Sequence, residues 1–370
     1  MHIVIITSSA KALFNLRKEL VESWVNAGFK VTAIGDRPEE EYGDICRKHG
    51  FDYKAVTLQR NGLNPIKDFK TLQELTILLK ILKPDRVFCT FAKAITYGAW
   101  AAHKAGIQQV YSLMSGLGTI YRCGSFKTRV IRLIMNPLYK NAFNYSSKVI
   151  FQNNDDLSLF VKLGLVKPEK TVIVNGSGVD LNRFEFSPLP NNTTFLFVGR
   201  LLKEKGIREY IAAARIVKAK FPKACFIAVG DTDTNPSSLQ QEEVNRYKKE
   251  GLVTFEGYQK DVRPFIRQCD YFVLPSYHEG TPRCVLEAMA MGRPIITSDA
   301  PGCRETVNNG INGFLIPVSD INALSQKMEY LIYNEDDAIE MGKNSRKIAE
   351  NKYSIEKINN AYFQIMDLLY

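Results

Sequence analysis

No acidic residue lies between Asp85 and Asp155, a span that holds nine lysines and arginines. The imbalance is regional. Residues 1–186 carry 26 Lys or Arg against 16 Asp or Glu, whereas residues 187–370 carry 23 of each. The formal net charge of +10 therefore belongs to the first half alone. This excludes an even solubility charge and calls for an anionic partner of one domain, either a membrane surface or a nucleic acid. Histidine is scarce, with four residues, and the seven cysteines include no C-x-x-C pair. That excludes a structural zinc framework and argues for a reducing compartment. No apolar run approaches the ~20 residues needed to span a bilayer. Met1-His2-Ile3-Val4-Ile5-Ile6 lacks the basic leader and long apolar core of a secretory signal, so it reads as a first strand.

What is present is a twice-repeated alternation of short β-branched runs and amphipathic stretches. The expected strands are His2–Thr7, Lys30–Ile34, Tyr53–Thr57, Arg86–Thr90, Gln109–Leu113, Lys148–Gln152 and Thr171–Asn175. A second set follows: Thr194–Val198, Cys225–Val229, Val253–Phe255, Tyr271–Leu274, Pro294–Thr297 and Gly313–Ile316. Helical stretches such as Phe14–Ala27, Ile66–Leu82 and Ile95–Ala105 separate them. Strands apolar on both faces with helical crossovers mean parallel sheets covered on both sides. The expected fold class is α/β, two Rossmann-like domains whose parallel sheets face each other across a cleft. Phe186-Ser187-Pro188-Leu189-Pro190-Asn191-Asn192 reads as the linker. It divides a domain at 1–186 from one at 187–352, and 353–370 is a terminal helix with an apolar stripe through Ile358, Tyr362 and Ile365.

Two motifs in the second half carry chemistry. Phe195-Leu196-Phe197-Val198-Gly199-Arg200 ends a strand in glycine and a basic residue, and Lys205-Gly206 opens a helix near Ile207. The helix-start amides, with the charges of Arg200 and Lys205, can clamp a diphosphate. The plainer reading is a glycine that only tightens a bend. This is no Walker A loop, for the Gly-rich run and the Lys-Ser/Thr pair are missing, and no G-x-G-x-x-G follows the opening strand. Downstream, Glu279 lies in the loop after an apolar strand and Glu287 about a turn and a half into the next helix. The pair suits the acid/base carboxylates of a hydrolase or a grip on the vicinal hydroxyls of ribose and sugar. Its place after a diphosphate clamp favours the grip. Solvated, idle glutamates are the plainer reading, but Val285, Leu286, Ala288, Met289 and Ala290 suggest a buried helix where an idle carboxylate is costly.

G-R-x-x-x-x-K-G followed by E-x7-E resembles the retaining nucleotide-sugar glycosyltransferases of family 4, over essentially the whole chain. The resemblance implies the GT-B fold and a UDP-sugar donor. It puts Arg200 and Lys205 on the diphosphate beside Gly199. Glu279 and the amides of Gly280 and Thr281 fall by the donor sugar, Glu287 on the ribose hydroxyls, and Tyr258 and Val262 at the base pocket. Arg200, Lys205 and Glu279 are then the catalytic set, the cations neutralising charge on the leaving diphosphate. The resemblance further implies that the leaving phosphate takes the acceptor proton, so that no separate base is required. Asp231-Thr232-Asp233 has D-x-D spacing but follows the Cys225–Val229 strand, so no metal cofactor is expected. The terminal helix of such enzymes returns to the first domain.

Ser115-Gly116-Leu117-Gly118 and Asn136-Pro137-Leu138-Tyr139 resemble bacterial enzymes that add N-acetylgalactosamine or a related sugar to undecaprenyl-diphosphate-linked acceptors. The resemblance implies a polyprenyl-diphosphate-linked glycan as acceptor. Thr7-Ser8-Ser9-Ala10 lacks the family's usual glycine pair, and no histidine follows the Gln109–Leu113 strand. Ser8, Ser9, Asn15, Ser115 and Gly116 are therefore the acceptor candidates. His278 is a further candidate for the sugar, against the plainer expectation of an exposed loop histidine.

Phe126–Phe143 interleaves Lys127, Arg129, Arg132 and Lys140 with apolar residues. As a helix it suits an anionic leaflet, against a core helix with solvated basic ends. The expected location is cytoplasmic, on the inner face of the plasma membrane, with no nucleic-acid partner because the basic half lacks an aromatic stacking platform. The alternatives are a nucleotide-sugar epimerase of the same fold, which leaves the basic apolar domain unexplained, and a non-enzymatic anion-binding protein, which leaves the glutamates idle. A nicotinamide oxidoreductase lacks its glycine fingerprint.

Overall fold

A computed structural model describes residues 1–58, 64–117, 121 and 126–368, with the backbone alone at Lys127. It contains two compact units, Met1–Ser177 with Ile358–Tyr370, and Gly178–Lys357.

The first unit is a seven-stranded sheet of β1 (His2–Thr7), β2 (Lys30–Gly35), β3 (Asp52–Ala55), β4 (Arg86–Thr90), β5 (Val110–Met114), β6 (Lys148–Phe151) and β7 (Thr171–Ile173), in the order β3-β2-β1-β4-β5-β6-β7. The second has six strands, β8 (Thr194–Val198), β9 (Cys225–Val229), β10 (Thr254–Gly257), β11 (Tyr271–Leu274), β12 (Ile295–Ser298) and β13 (Gly313–Ile316), in the order β10-β9-β8-β11-β12-β13. Every pairing in both sheets is parallel. The strand order reverses between β1 and β4 and between β8 and β11. In open α/β sheets the crevice outside the carboxyl ends of such a strand pair is where ligands bind.

The strands are apolar on both faces because helices cover both. Val4, Ile6, Val87 and Cys89 share a core with residues of helices Pro65–Leu82, Ala92–Lys104 and Phe126–Tyr145. Ile3, Ile5 and Phe88 pack instead with helices Ala10–Leu16 and Lys18–Asn26 and with the terminal helix Ile355–Ile365. Tyr362 meets Phe88 edge-on at 5.7 Å between centroids. Burial of Ile358, Tyr362, Met366 and Leu368, at roughly 1.5–3 kcal/mol for a large apolar side chain, fixes this last segment on the first unit.

Two local differences from the sequence reading have physical causes. The stretch expected as one helix over Phe14–Ala27 is two, Ala10–Leu16 and Lys18–Asn26, broken at Arg17, whose φ of −135° lies outside the helical range. The first begins earlier because the Ser9 hydroxyl accepts from the Ala12 amide at 3.2 Å, an N-cap. The Pro/Asn-rich segment lies within the second unit, held by one guanidinium group, while a second holds the chain just before it. Fully buried Arg293 donates to Cys269 O at 2.7 Å, Ser187 Oγ at 2.6 Å and Pro188 O at 3.1 Å. Arg346 donates to Phe184 O at 3.0 Å and Ala290 O at 2.8 Å. Among the described residues, no helix is long and apolar enough to cross a membrane.

Candidate active site

The carboxyl ends of β8 and β11 carry the two motifs. After β8 the chain runs through Gly199 and Arg200 into the short 3-10 turn Lys203–Lys205 and then the helix Ile207–Lys220. Gly206 joins them at φ +75°, and a Cβ there would sit 2.1 Å from Pro275 O. Only glycine lets this segment lie on the loop after β11. Gly302 does the same on the other side: at φ +79°, an added Cβ would meet Glu279 O at 2.1 Å.

This close packing brings Lys205 Nζ onto Glu279 Oε1. Both side chains are largely buried, 23% and 12% exposed. Ser276, fully buried, ties the arrangement together: its hydroxyl lies 2.8 Å from Glu279 Oε1 and 2.9 Å from Glu204 O. Having one proton, it donates to one of these oxygens at a time. Glu204 O also accepts the Tyr277 amide at 2.9 Å, and the Glu279 amide is fixed on Pro301 O at 2.8 Å. Tyr277 donates to Glu209 Oε1 at 2.6 Å, and burial with the Glu209 carboxylate pushes its phenol pKa up.

Glu287 is the fifth residue of helix Arg283–Ala290, whose Val285, Leu286, Ala288, Met289 and Ala290 are buried. It is not an idle helix carboxylate, since Arg283 one turn earlier donates to its Oε1 at 3.2 Å. Gly280 and Thr281 lie in the loop between Glu279 and that helix. The partly buried Cys284 thiol is pushed up to about 12 by desolvation first and then by Glu279, so it stays protonated at neutral pH. His278 is 7% exposed, against the expectation of an exposed loop histidine.

Arg200 Nη1 lies 2.8 Å from Asp233 Oδ2. Tyr258, 61% exposed, and Val262, at the N-cap of helix Arg263–Gln268, follow β10, two strands from β8. Between these two residues lies Asp261, whose carboxyl the Arg263 side chain holds down at about 2.

In the first unit, Ser8 and Ser9 follow β1, and Ser115 and Gly116 follow β5, with β4 between those strands. Ser8 is buried, the Ser9 hydroxyl serves the helix cap, and Asn15 is exposed on helix Ala10–Leu16. Gly118 and Arg122 lie outside the described residues. Lys93, one of the nine basic residues of the acid-free span, is buried and paired with Asp68 at 2.6 Å, so it adds nothing to the surface field. Helix Phe126–Tyr145 divides its faces: Met135, Tyr139, Ala142 and Phe143 are in the core, while Phe126, Val130, Leu133 and Ile134 are exposed beside exposed Arg129.

Sequence reasoning named Lys205, Glu279 and Glu287, gave no role to Ser276 or Arg283, and took Asp233 only as part of a D-x-D spacing. The i, i+4 spacing of Arg283 and Glu287 was an available signal. Asp233 offered none, because its contact to Arg200 spans 33 residues.

Residues 192–334 match the family model for glycosyl transferases group 1, and residues 4–153 that for glycosyl transferase 4-like proteins. The chain is 31% identical over 329 residues to the capsular polysaccharide biosynthesis glycosyltransferase CapM of Staphylococcus aureus, covering 85% of each. It is 29% identical over 381 residues to the N,N'-diacetylbacillosaminyl-diphospho-undecaprenol alpha-1,3-N-acetylgalactosaminyltransferase of Campylobacter jejuni, covering 99% of this chain and 98% of that protein. The crystal structure of Anabaena HepE in complex with UDP-glucose superposes with a TM-score of 0.79 at 19% identity, covering 100% of both chains.

Proposed function

This chain belongs to the GT-B-fold glycosyltransferases, and from that premise we propose that it moves a sugar, an N-acetylhexosamine, from a UDP-sugar to a polyprenyl-diphosphate-linked saccharide with retention at the anomeric carbon. The observation that carries the donor side is the Lys205–Glu279 pair at the β8/β11 switch point. The acceptor class rests on the named activity of the Campylobacter relative, aligned over nearly the whole chain.

The donor diphosphate lies over the first amides of helix Ile207–Lys220, with Arg200 and Lys205 as its cations. An ammonium has three donors, so Lys205 holds the leaving phosphate while it keeps Glu279. Glu279, with the amides of Gly280 and Thr281, receives the sugar, Glu287 takes the ribose hydroxyls, and Tyr258 and Val262 border the base. The bond from the anomeric carbon to the β-phosphate oxygen breaks, and the acceptor hydroxyl oxygen bonds to that carbon on the same face. Its proton passes to the leaving phosphate, and UDP departs. Charge growing on that phosphate is met by these two cations, the main electrostatic contribution to the rate.

The first unit receives the acceptor, with Ser8, Ser9, Asn15, Ser115 and Gly116 as its candidate contacts, and rests on an anionic membrane surface at the cytoplasmic face. Two observations support that surface. Helix Phe126–Tyr145 exposes Phe126, Val130, Leu133 and Ile134 beside Arg129. Helix Pro65–Leu82 exposes Ile66, Phe69, Ile77 and Ile81 among Lys67, Lys70 and Lys80. Apolar residues interleaved with lysine and arginine suit a leaflet of acidic lipid.

The test is incubation with a panel of UDP-sugars and a bacterial lipid extract. One donor is consumed, with its sugar recovered in the solvent-extractable lipid and UDP released in equal amount. UDP release without lipid labelling would contradict the acceptor assignment.

A further inference from the structure

The proposed reaction leaves Asp233 without a role, yet its loop is stitched along the segment that carries Arg200 and Lys205. Leu201 N donates to Asp231 O at 3.0 Å, Lys203 N to Ser237 O at 2.9 Å and Leu239 N to Leu201 O at 2.8 Å. Ser237 Oγ donates to Glu204 Oε2 at 2.5 Å. Within the loop, Asp233 N donates to Ser238 Oγ at 2.9 Å and Asn235 N to Asp233 Oδ1 at 2.9 Å. The Asp233 carboxylate is thus held in place by its own turn, with Oδ2 presented to Arg200. Its side chain is 26% exposed, whereas that of Arg200 is 53% exposed on a long stem. The geometry is a fixed anion facing a cation that is free to swing.

We propose that Asp233 is the resident counter-ion of the donor site. It holds Arg200 while the diphosphate is absent, yields it when donor binds and takes it back as UDP leaves, and so sets the affinity for UDP. This rests on the reading that Arg200 contacts the diphosphate. A diphosphate carries more negative charge than one carboxylate and wins the exchange, but each binding event must first break the Arg200–Asp233 pair and then leave Asp233 close to phosphate oxygens of its own sign. Both effects weaken the hold on the product. An Arg200 without an opposing carboxylate would retain UDP, and product release limits turnover in many enzymes.

The test is titration calorimetry of UDP against the whole protein at one ionic strength, for the wild type, Asp233→Asn, Arg200→Ala and the double variant. Asparagine keeps the Oδ1 acceptor for the Asn235 amide, so the turn survives. Asp233→Ser is a second neutral variant whose hydroxyl supports the same turn. Both neutral variants bind UDP about three- to tenfold more tightly than the wild type, the size expected for one partly screened charge. The gain is smaller in the Arg200→Ala background, where there is no pair to break. Unchanged or weakened UDP affinity in Asp233→Asn and Asp233→Ser would overturn the counter-ion role. Arg200→Ala binding UDP as tightly as the wild type would instead overturn the clamp reading, and the counter-ion role with it.

Discussion

Lys205 and Glu279, 74 residues apart, are hydrogen-bonded at the carboxyl ends of the neighbouring strands β8 and β11. Two oppositely charged side chains, both mostly out of solvent, meet where an open parallel sheet binds its ligand. Neither position is set by its own element alone. Lys205 sits on a turn docked through Glu204 O, and Glu279 sits on a loop docked through Pro301 O. Ser276 reaches both the Glu279 carboxylate and Glu204 O.

Ser276→Ala removes a fully buried hydroxyl while the Tyr277 amide still satisfies Glu204 O. Stability falls by about 1 kcal/mol, the net worth of one hydrogen bond. The turnover number falls about tenfold as the Glu279 carboxylate loses its orientation, with little change in KM for the donor. Steady-state kinetics beside a denaturant titration separates the two effects.

Glu287→Gln keeps the shape of the side chain and removes its charge. If Glu287 holds the ribose hydroxyls, KM for the UDP-sugar rises about tenfold while the turnover number changes less, because ribose is gripped equally in ground and transition states. Donor-saturation curves check this.

Arg293→Met empties a site where one fully buried guanidinium serves Cys269 O, Ser187 Oγ and Pro188 O. Leaving the buried Cys269 O and the part-buried acceptors on Ser187 and Pro188 without a donor costs about 3 kcal/mol. Urea unfolding shows the loss, and proteolysis shows early cleavage near Ser187.

Cys284, pushed up to about 12 by burial and then by Glu279, is protonated at pH 8. Its alkylation rises about tenfold per pH unit below that value, since only the thiolate reacts. Exposed Cys225 is labelled before Cys284. Glu279→Gln lowers the Cys284 pKa and speeds its labelling at fixed pH, read by peptide mass spectrometry.

Much of this was legible in the sequence because the signals are local. Strands β4, β8, β9, β11 and β13 begin and end at the residues that the apolar runs marked, since buried parallel strands are apolar throughout. The helix start at Ile207 follows from the Lys205-Gly206 punctuation. What the sequence concealed depends on contacts across many residues. The hydroxyl of Ser276 is one of many until the fold sets it between Glu204 and Glu279. Asp233 looked like part of a metal motif misplaced after β9, and only the stitched loop shows it facing Arg200. Lys93 counted toward surface charge until its burial against Asp68 removed it. His278 looked like a loop histidine, but the packing around Gly302 and Glu279 closes over that segment.

The most direct test is transfer itself, with Lys205→Ala and Glu279→Gln assayed against the wild type on the donor and lipid acceptor found in the panel. Each variant should remain folded, since the pair lies beyond the carboxyl ends of β8 and β11 and outside the hydrophobic core, and each should lose transfer by about a hundredfold or more, the usual cost of removing one preorganised charge partner. Wild-type rates of lipid glycosylation in both variants would contradict the assignment of this pair as the donor grip.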